Sequence, residues 1–131
     1  KKLAPEGWII PSDTAWNILT TTLDPNAFDW EDTTNVAGGK LKSTGTIEDG
    51  TGLWRAPNQM ASNVSGFSGM PGGVCYGFDG CVSMGYEGNW WSSTETNVNY
   101  AWNRSMSYIT RRVIRDYHYK DLGFSVRCVR D

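Results

Sequence analysis

His118 is the only histidine of the chain, set in Asp116-Tyr117-His118-Tyr119 without a cysteine or carboxylate at the spacing of a catalytic or metal-binding motif. A lone imidazole between two tyrosines reads as an exposed strand residue rather than as a general base. The three cysteines are an odd set. Cys75 and Cys81 enclose YGFDG, a short glycine-containing loop whose ends could close as a disulfide or stay as two buried thiols, and the residues leave both readings open. Cys128 alternates with Phe124 and Val126 and reads as a small core residue. With no CxxC pair, neither zinc nor thioredoxin-type chemistry is indicated. Asp29, Glu31 and Asp32 offer the hard oxygens that Ca²⁺ takes, yet a solvated acidic loop is the plainer reading, and Asp79 and Glu87 admit the same two. No catalytic set, metal or cofactor is expected.

What the chain does contain is a strip of mixed chemistry between residues 103 and 122. Tyr108, Tyr117 and Tyr119 offer large contact area at low entropy cost, with Arg and His as polar anchors, the composition of a paratope. The formal net charge is −2, which argues against a dedicated nucleic-acid binder, but charge is unevenly spread. Residues 1–100 hold five Lys/Arg against eleven Asp/Glu, and residues 101–131 hold seven against three. The basic end could attract acidic glycans, phosphates or acidic proteins; as solvated strand residues, the arginines would do none of this.

These residues need elements to hold them. Ser12 before TAWNILTTTL supplies a helix cap, and Asp13 suits the positive end of the helix dipole. Trp16, Leu19 and Leu23 give one apolar face, and Asp24-Pro25-Asn26 stops the helix. A shorter helix is expected across 34–43, with Val36, Ala37 and Leu41 inward, although Gly38-Gly39 weaken it by about 1 kcal/mol each. From Gly45 to Gly88 the sequence is loop, with single aromatics pinning glycine-rich pieces to the core. Long irregular loops of this kind are uncommon unless functional. After Gly88 the period becomes two: Trp90 to Thr94 is a short strand, then Trp102, Arg104, Met106 and Tyr108 share a face opposite Asn103, Ser105, Ser107 and Ile109. Val113 and Arg115 alternate with Arg112, Ile114, Asp116 and His118. GFSVRCVRD reads as a closing buried strand. Two helices followed by antiparallel strands make an α+β domain, and the length suits a single domain over 1–131. No stretch approaches the ~20 apolar residues of a membrane span. The opening Lys1-Lys2-Leu3-Ala4-Pro5 reads as a loop, not a signal peptide.

GWIIPSDTAW (7–16), AGGKLKSTG (37–45), SGFSGMPGG (65–73), WWSSTE (90–95) and GFSVRCVRD (123–131) together resemble the Fibrobacter succinogenes major paralogous domain. The resemblance implies a C-type-lectin-like fold with two helices, a small twisted antiparallel sheet and long loops. Members are modules of secreted, surface-anchored or lipoprotein chains, many in gut Bacteroidetes and their phages. Relatives commonly carry an N-terminal segment with a first strand that is not seen here. They also often place a cysteine where Ala4 stands, near the partner of the closing-strand cysteine, so Cys128 would lack that disulfide. Sugar-binding C-type lectins hold Ca²⁺ through an EPN-type loop and a WND strand. Here Ala56-Pro57-Asn58 and Trp102-Asn103-Arg104 lack the ligand oxygen and put a cation where a carboxylate should stand. The related formylglycine-generating enzymes need paired reactive cysteines, for which Cys75 and Cys81 are the only candidates and nothing beside them is activating.

Some C-type-lectin-like proteins are diversified by retroelements that replace adenines in Asn-type codons. Ser105, Ser107, Ile109, Thr110, Arg112, Ile114, Asp116, Tyr117, His118, Tyr119, Asp121 and Leu122 are all reachable from an Asn codon in that way, and several share the face opposite Trp102, Met106 and Val113. With Asn103 they form the expected ligand-binding face. The expectation is a non-enzymatic module of a cell-surface, extracellular or virion protein that binds a protein or glycan, with no nucleic acid and no direct membrane span. A structural tip module of an adhesin or phage appendage is the alternative, and an enzyme on a formylglycine-generating-type scaffold a more distant one.

Overall fold

The computed structural model describes residues 3–28 and 33–131. Lys1, Lys2 and the Asp29, Glu31 and Asp32 cluster lie outside the described residues. Helix α1 (Asp13–Leu23) begins where the Ser12 hydroxyl accepts from the Ala15 amide at 3.1 Å. It buries Trp16 and Thr20, with Leu19 and Leu23 packed partly against the same core. Asp24 ends it and joins it to the next helix, since one carboxylate oxygen accepts from the Asn26 amide and the other from the Val36 amide. A 3-10 turn (Pro25–Phe28) intervenes.

Helix α2 (Ala37–Leu41) is shorter than the sequence suggests. Its glycines weaken a helix but are required by contact. A Cβ on Gly38 would fall 2.0 Å from the Arg112 carbonyl oxygen, and one on Gly39 would fall 2.5 Å from that of Met60. The bare backbone lets the Gly39 amide donate to the Arg111 carbonyl at 2.8 Å, so α2 sits directly on the turn in the middle of the mixed strip.

The strands form three small antiparallel sheets rather than one. The main sheet is a meander of β4 (Glu87–Glu95), β5 (Tyr100–Ser107) and β6 (Val113–Tyr119), in that order. A second has the order β3 (Cys81–Val82), β2 (Val74–Tyr76), β7 (Leu122–Gly123), and a third pairs β1 (Trp8–Ile9) with β8 (Val129–Arg130). The fold is thus mixed α+β. Loop aromatics fasten the intervening chain as expected: Trp54 is fully buried with its indole N–H donating to the Gly69 carbonyl. Phe67 stands edge-on between Trp16 and Trp90.

Two expectations fail at the closing segment. GFSVRCVRD is not one buried strand: Gly123 ends β7 and Val129–Arg130 forms β8, with the residues between them outside both, and Val126 and Val129 are 36% and 38% exposed. The segment is tied to the open edge of β4 instead, where Trp91 donates to the Ser125 carbonyl and Ser125 to that of Asn89. Cys128 is accordingly half-buried and free, not a core residue. Among the described residues no helix is long and apolar enough to cross a membrane.

Candidate functional site: an aromatic platform on a charged base

Cross-strand partners of an antiparallel pair share a face. Tyr100 lies opposite Tyr119, Trp102 opposite Tyr117, Arg104 opposite Arg115 and Met106 opposite Val113. This one face changes character along its length. Met106 and Val113 are core, covered by the helices and loops. Arg104 and Arg115 come next and converge on Asp13 at the start of α1. Beyond the helix the face is open, and four aromatic residues occupy it.

The charged base is well made. Arg104, 1% exposed, donates from Nη1 to Asp13 Oδ1 at 2.9 Å and from Nη2 to Asn17 Oδ1 at 2.6 Å. Arg115 donates from Nε and Nη2 to the same carboxylate, the latter at 2.8 Å. Burial pushes the Asp13 carboxyl up, but the hydrogen bonds and charges of Arg115 and Arg104 together outweigh it and hold it below its ordinary value. Burial pulls the Arg104 guanidinium down, against the opposing pull of Asp13. The Arg115 guanidinium also lies 3.5 Å from the centre of the Trp102 ring.

On this base the rings pack against one another. Trp102 meets Tyr117 edge-on at 5.5 Å, Tyr117 meets Tyr100 edge-on at 5.8 Å, and Tyr119 lies over Tyr100 at 4.2 Å. Tyr117 and Tyr119 remain 52% and 54% exposed. The Tyr100 hydroxyl is pushed up to about 12 by its hydrogen bond with Tyr119, with burial and the neighbouring phenols adding.

The expected site residues do not form one face. Tyr117 and Tyr119 belong to the aromatic platform. Asn103, Ser105, Ile114, Asp116 and His118 lie on the reverse, where Ala101 pairs with His118, Asn103 with Asp116 and Ser105 with Ile114. There Phe124 covers the sheet, touching both Trp91 and His118. Asn103 is fully buried, its side-chain oxygen 3.0 Å from His118 Nδ1, so it cannot meet a ligand. His118 is half-buried against these partners rather than exposed. Asp116 is exposed, and Ser105 and Ile114 are half-buried. Ser107, Ile109, Thr110 and Arg112 lie at the β5–β6 turn, where Ile109 is 55% exposed and Arg112 rests its backbone on Gly38. Asp121 and Leu122 line a separate hollow of about 300 Å³ with Tyr76 and Asp79. Tyr108 is also apart, packed on the core and edge-on to Tyr86.

Lys42 anchors the turn. It is fully buried, donates to the carbonyls of Ser107 and Thr110 at 3.0 and 2.8 Å, and faces the Trp54 ring. Burial lowers it to about 8. Asn35 grips the start of β6 from the other side, exchanging two hydrogen bonds with the Val113 backbone.

Neither Lys42 nor the Asp13 bridge, nor the membership of Tyr100, Trp102 and Arg115 in the site, follows from the sequence reading. The parity of Tyr100 with Trp102, Tyr117 and Tyr119 was the available signal. By alternation Trp102 shares the face of Met106, which is core at that end. Several other groups singled out in the sequence are engaged elsewhere. Cys75 and Cys81 are joined as a disulfide. The Asn58 amide donates inward to Ser43 and Gly45, and Arg104 turns to Asp13.

The model of the Fibrobacter succinogenes major domain family matches residues 1–130 of this sequence. The chain belongs to this family. No curated protein and no solved structure matches it. Within the family domain, AGGKL supplies the close contact of α2 with the β5–β6 turn, and WWSSTE the bulged end of β4. The bulge returns Thr94 to the start of α1, where its hydroxyl accepts from the Asp13 amide.

Proposed function

We propose that this domain is a non-enzymatic ligand-binding module of C-type-lectin-like type, carried by a surface, extracellular or virion protein. It captures a protein or glycan through the open part of the 103–122 region. One observation carries this reading: four mutually packed aromatic rings, two of them about half exposed, stand on a sheet face fixed by buried charge. Large amphipathic side chains held rigid offer contact area at little entropic cost. The sheet, the Asp13 bridge, the Lys42 anchor and the disulfide lie beneath or beside the exposed positions and do not depend on their identity. Interchangeable residues at Ile109, Ile114, Asp116, Tyr117 and Tyr119 are therefore compatible with one scaffold, as retroelement diversification requires. An adjacent reverse transcriptase with an Asn-rich template repeat in the gene neighbourhood would establish that part, and a neighbourhood lacking both would remove it.

The binding claim is tested on a printed array of bacterial and animal glycans and extracellular proteins. Tyr117→Ala/Tyr119→Ala is expected to lose the wild-type signals while unfolding at a temperature close to wild type. Retained signals would sink the reading. A structural tip role draws support from Phe78, fully exposed at the apex of the Cys75–Cys81 hairpin, which would be covered by a neighbouring subunit in such an assembly.

A further inference from the structure

Two guanidiniums share one carboxylate at the base of the platform, which leaves one positive charge in surplus. Asp13 and Arg104 are buried, whereas the Arg115 side chain is 25% exposed. Arg115 uses Nε and Nη2 on Asp13, and its Nη1 has no acceptor among the described residues. The open donor and the surplus charge therefore belong to the one partly exposed guanidinium of the pair, which lies over the face of Trp102. Lys120, the next cation in sequence, just past the end of β6, is already paired with Glu95 at 2.7 Å.

The platform itself is filled. Its rings close on one another edge-to-face or tilted, leaving no slot between them. Protein hot spots seat an anchor side chain in a desolvated pocket, and the packed rings form none among the described residues. What the platform offers is the exposed half of the Tyr117 and Tyr119 rings with their phenol hydroxyls. The Tyr117–Trp102 and Tyr119–Tyr100 pairs follow one another along the strands at about 7 Å per two residues. A row of this kind suits an extended polymer whose units have a flat C–H face and a hydroxyl rim.

We infer that Arg115 and the Tyr100–Trp102–Tyr117–Tyr119 row form a site for an acidic glycan, with sugar rings stacked on the aromatics and a sugar carboxylate paired with Arg115. This rests on the binding reading above and names its ligand class. Guanidinium meets carboxylate with two parallel hydrogen bonds where geometry allows, and a lysine cannot reproduce that fork or its stacking on an indole. Neutral glycans would keep the stacking and lose the pairing.

The test uses the whole chain in titration calorimetry against polygalacturonate, hyaluronan and polysialic acid, each with its carboxyl-esterified form. At least one acidic polymer is expected to bind, and to lose about tenfold or more in affinity on esterification. Arg115→Lys should lose most of the preference for the acid over the ester. Because Arg115 also braces Asp13, Tyr119→Ala, which leaves that bridge intact and removes a half-exposed ring packed on Tyr100, serves as the second variant. It should weaken binding at least tenfold while lowering the melting temperature by no more than about 5 °C. Equal binding of acid and ester overturns the role of Arg115, and binding indifferent to Tyr119→Ala overturns the site. No binding to any polymer, together with Tyr117/Tyr119-dependent protein signals on the array, overturns the glycan assignment while leaving the binding function standing. Silence in both experiments overturns both.

Discussion

Replacing Asp13 by alanine removes the carboxylate that, among the described residues, Arg104 and Arg115 share. Arg104 is 1% exposed and cannot turn to water. It keeps Asn17 Oδ1 and the carbonyls of Asn103 and Asp13, so its hydrogen bonds survive in part while its charge loses its counter-ion. Breaking a buried pair by removing one partner costs about 3–5 kcal/mol. The surviving hydrogen bonds and the partial exposure of Arg115 place Asp13→Ala near the lower end, about 3 kcal/mol. For a chain of this length that is a fall of roughly 10 °C in melting temperature. Differential scanning calorimetry at neutral pH reads it directly. The same loss in an Arg104→Met background should be much smaller, since the stranded charge is gone. A fall of under about 3 °C for Asp13→Ala would refute the idea that this bridge holds the sheet against α1. The pH dependence carries the same sign. The folded value of Asp13 lies below its ordinary 3.8, so its stabilisation is complete above that value and is lost as pH falls through the folded one.

Two further perturbations address the supports of the β5–β6 turn. Lys42 falls from an ordinary 10.5 to about 8, so between those values the unfolded chain binds more protons than the folded one, and stability should rise with pH. Tyr100, raised from 10.0 to about 12, has the opposite sign above pH 10, so denaturant midpoints should climb from about 8 to 10 and then turn over. Lys42→Met should flatten the climb, and a wild-type profile that falls through this range would contradict the burial of that amine. Gly38→Ala would set a Cβ 2.0 Å from a backbone oxygen of Arg112. It should cost about 2 kcal/mol or more by overpacking, despite the better helix propensity of alanine; a stabilised variant in urea titration would refute the close contact.

The elements with a local signature were legible in the sequence. Ser12, the Trp16–Leu19–Leu23 spacing and Asp24-Pro25 delimit α1 because capping and periodicity are properties of neighbouring residues. Strands β5 and β6 showed through their alternation for the same reason. The closing segment did not, because GFSVRCVRD looks apolar enough for a core strand and only the position of the β4 edge decides otherwise. Within the site, the mixed composition of the strip points to Tyr117 and Tyr119 but not to Tyr100, Trp102 and Arg115. Parity names a face but not what covers it, and this face is core at Met106 and solvent at Tyr119. Asp13 could be read as a helix-dipole charge, but its partners are far along the chain and no local pattern announces them. Lys42 gave no sign either, since a lysine in AGGKLKS looks solvated until Trp54 and the turn carbonyls close around it.

The most direct measurement compares the two faces of the main sheet on the same array. Tyr117→Ala/Tyr119→Ala strips the aromatic platform, and Ile114→Ala/Asp116→Ala strips the reverse. The account predicts that the first pair abolishes ligand signals and the second leaves them within about twofold, with both variants folded. Loss of signal from the reverse-face pair alone, with the platform pair binding as wild type, would contradict it.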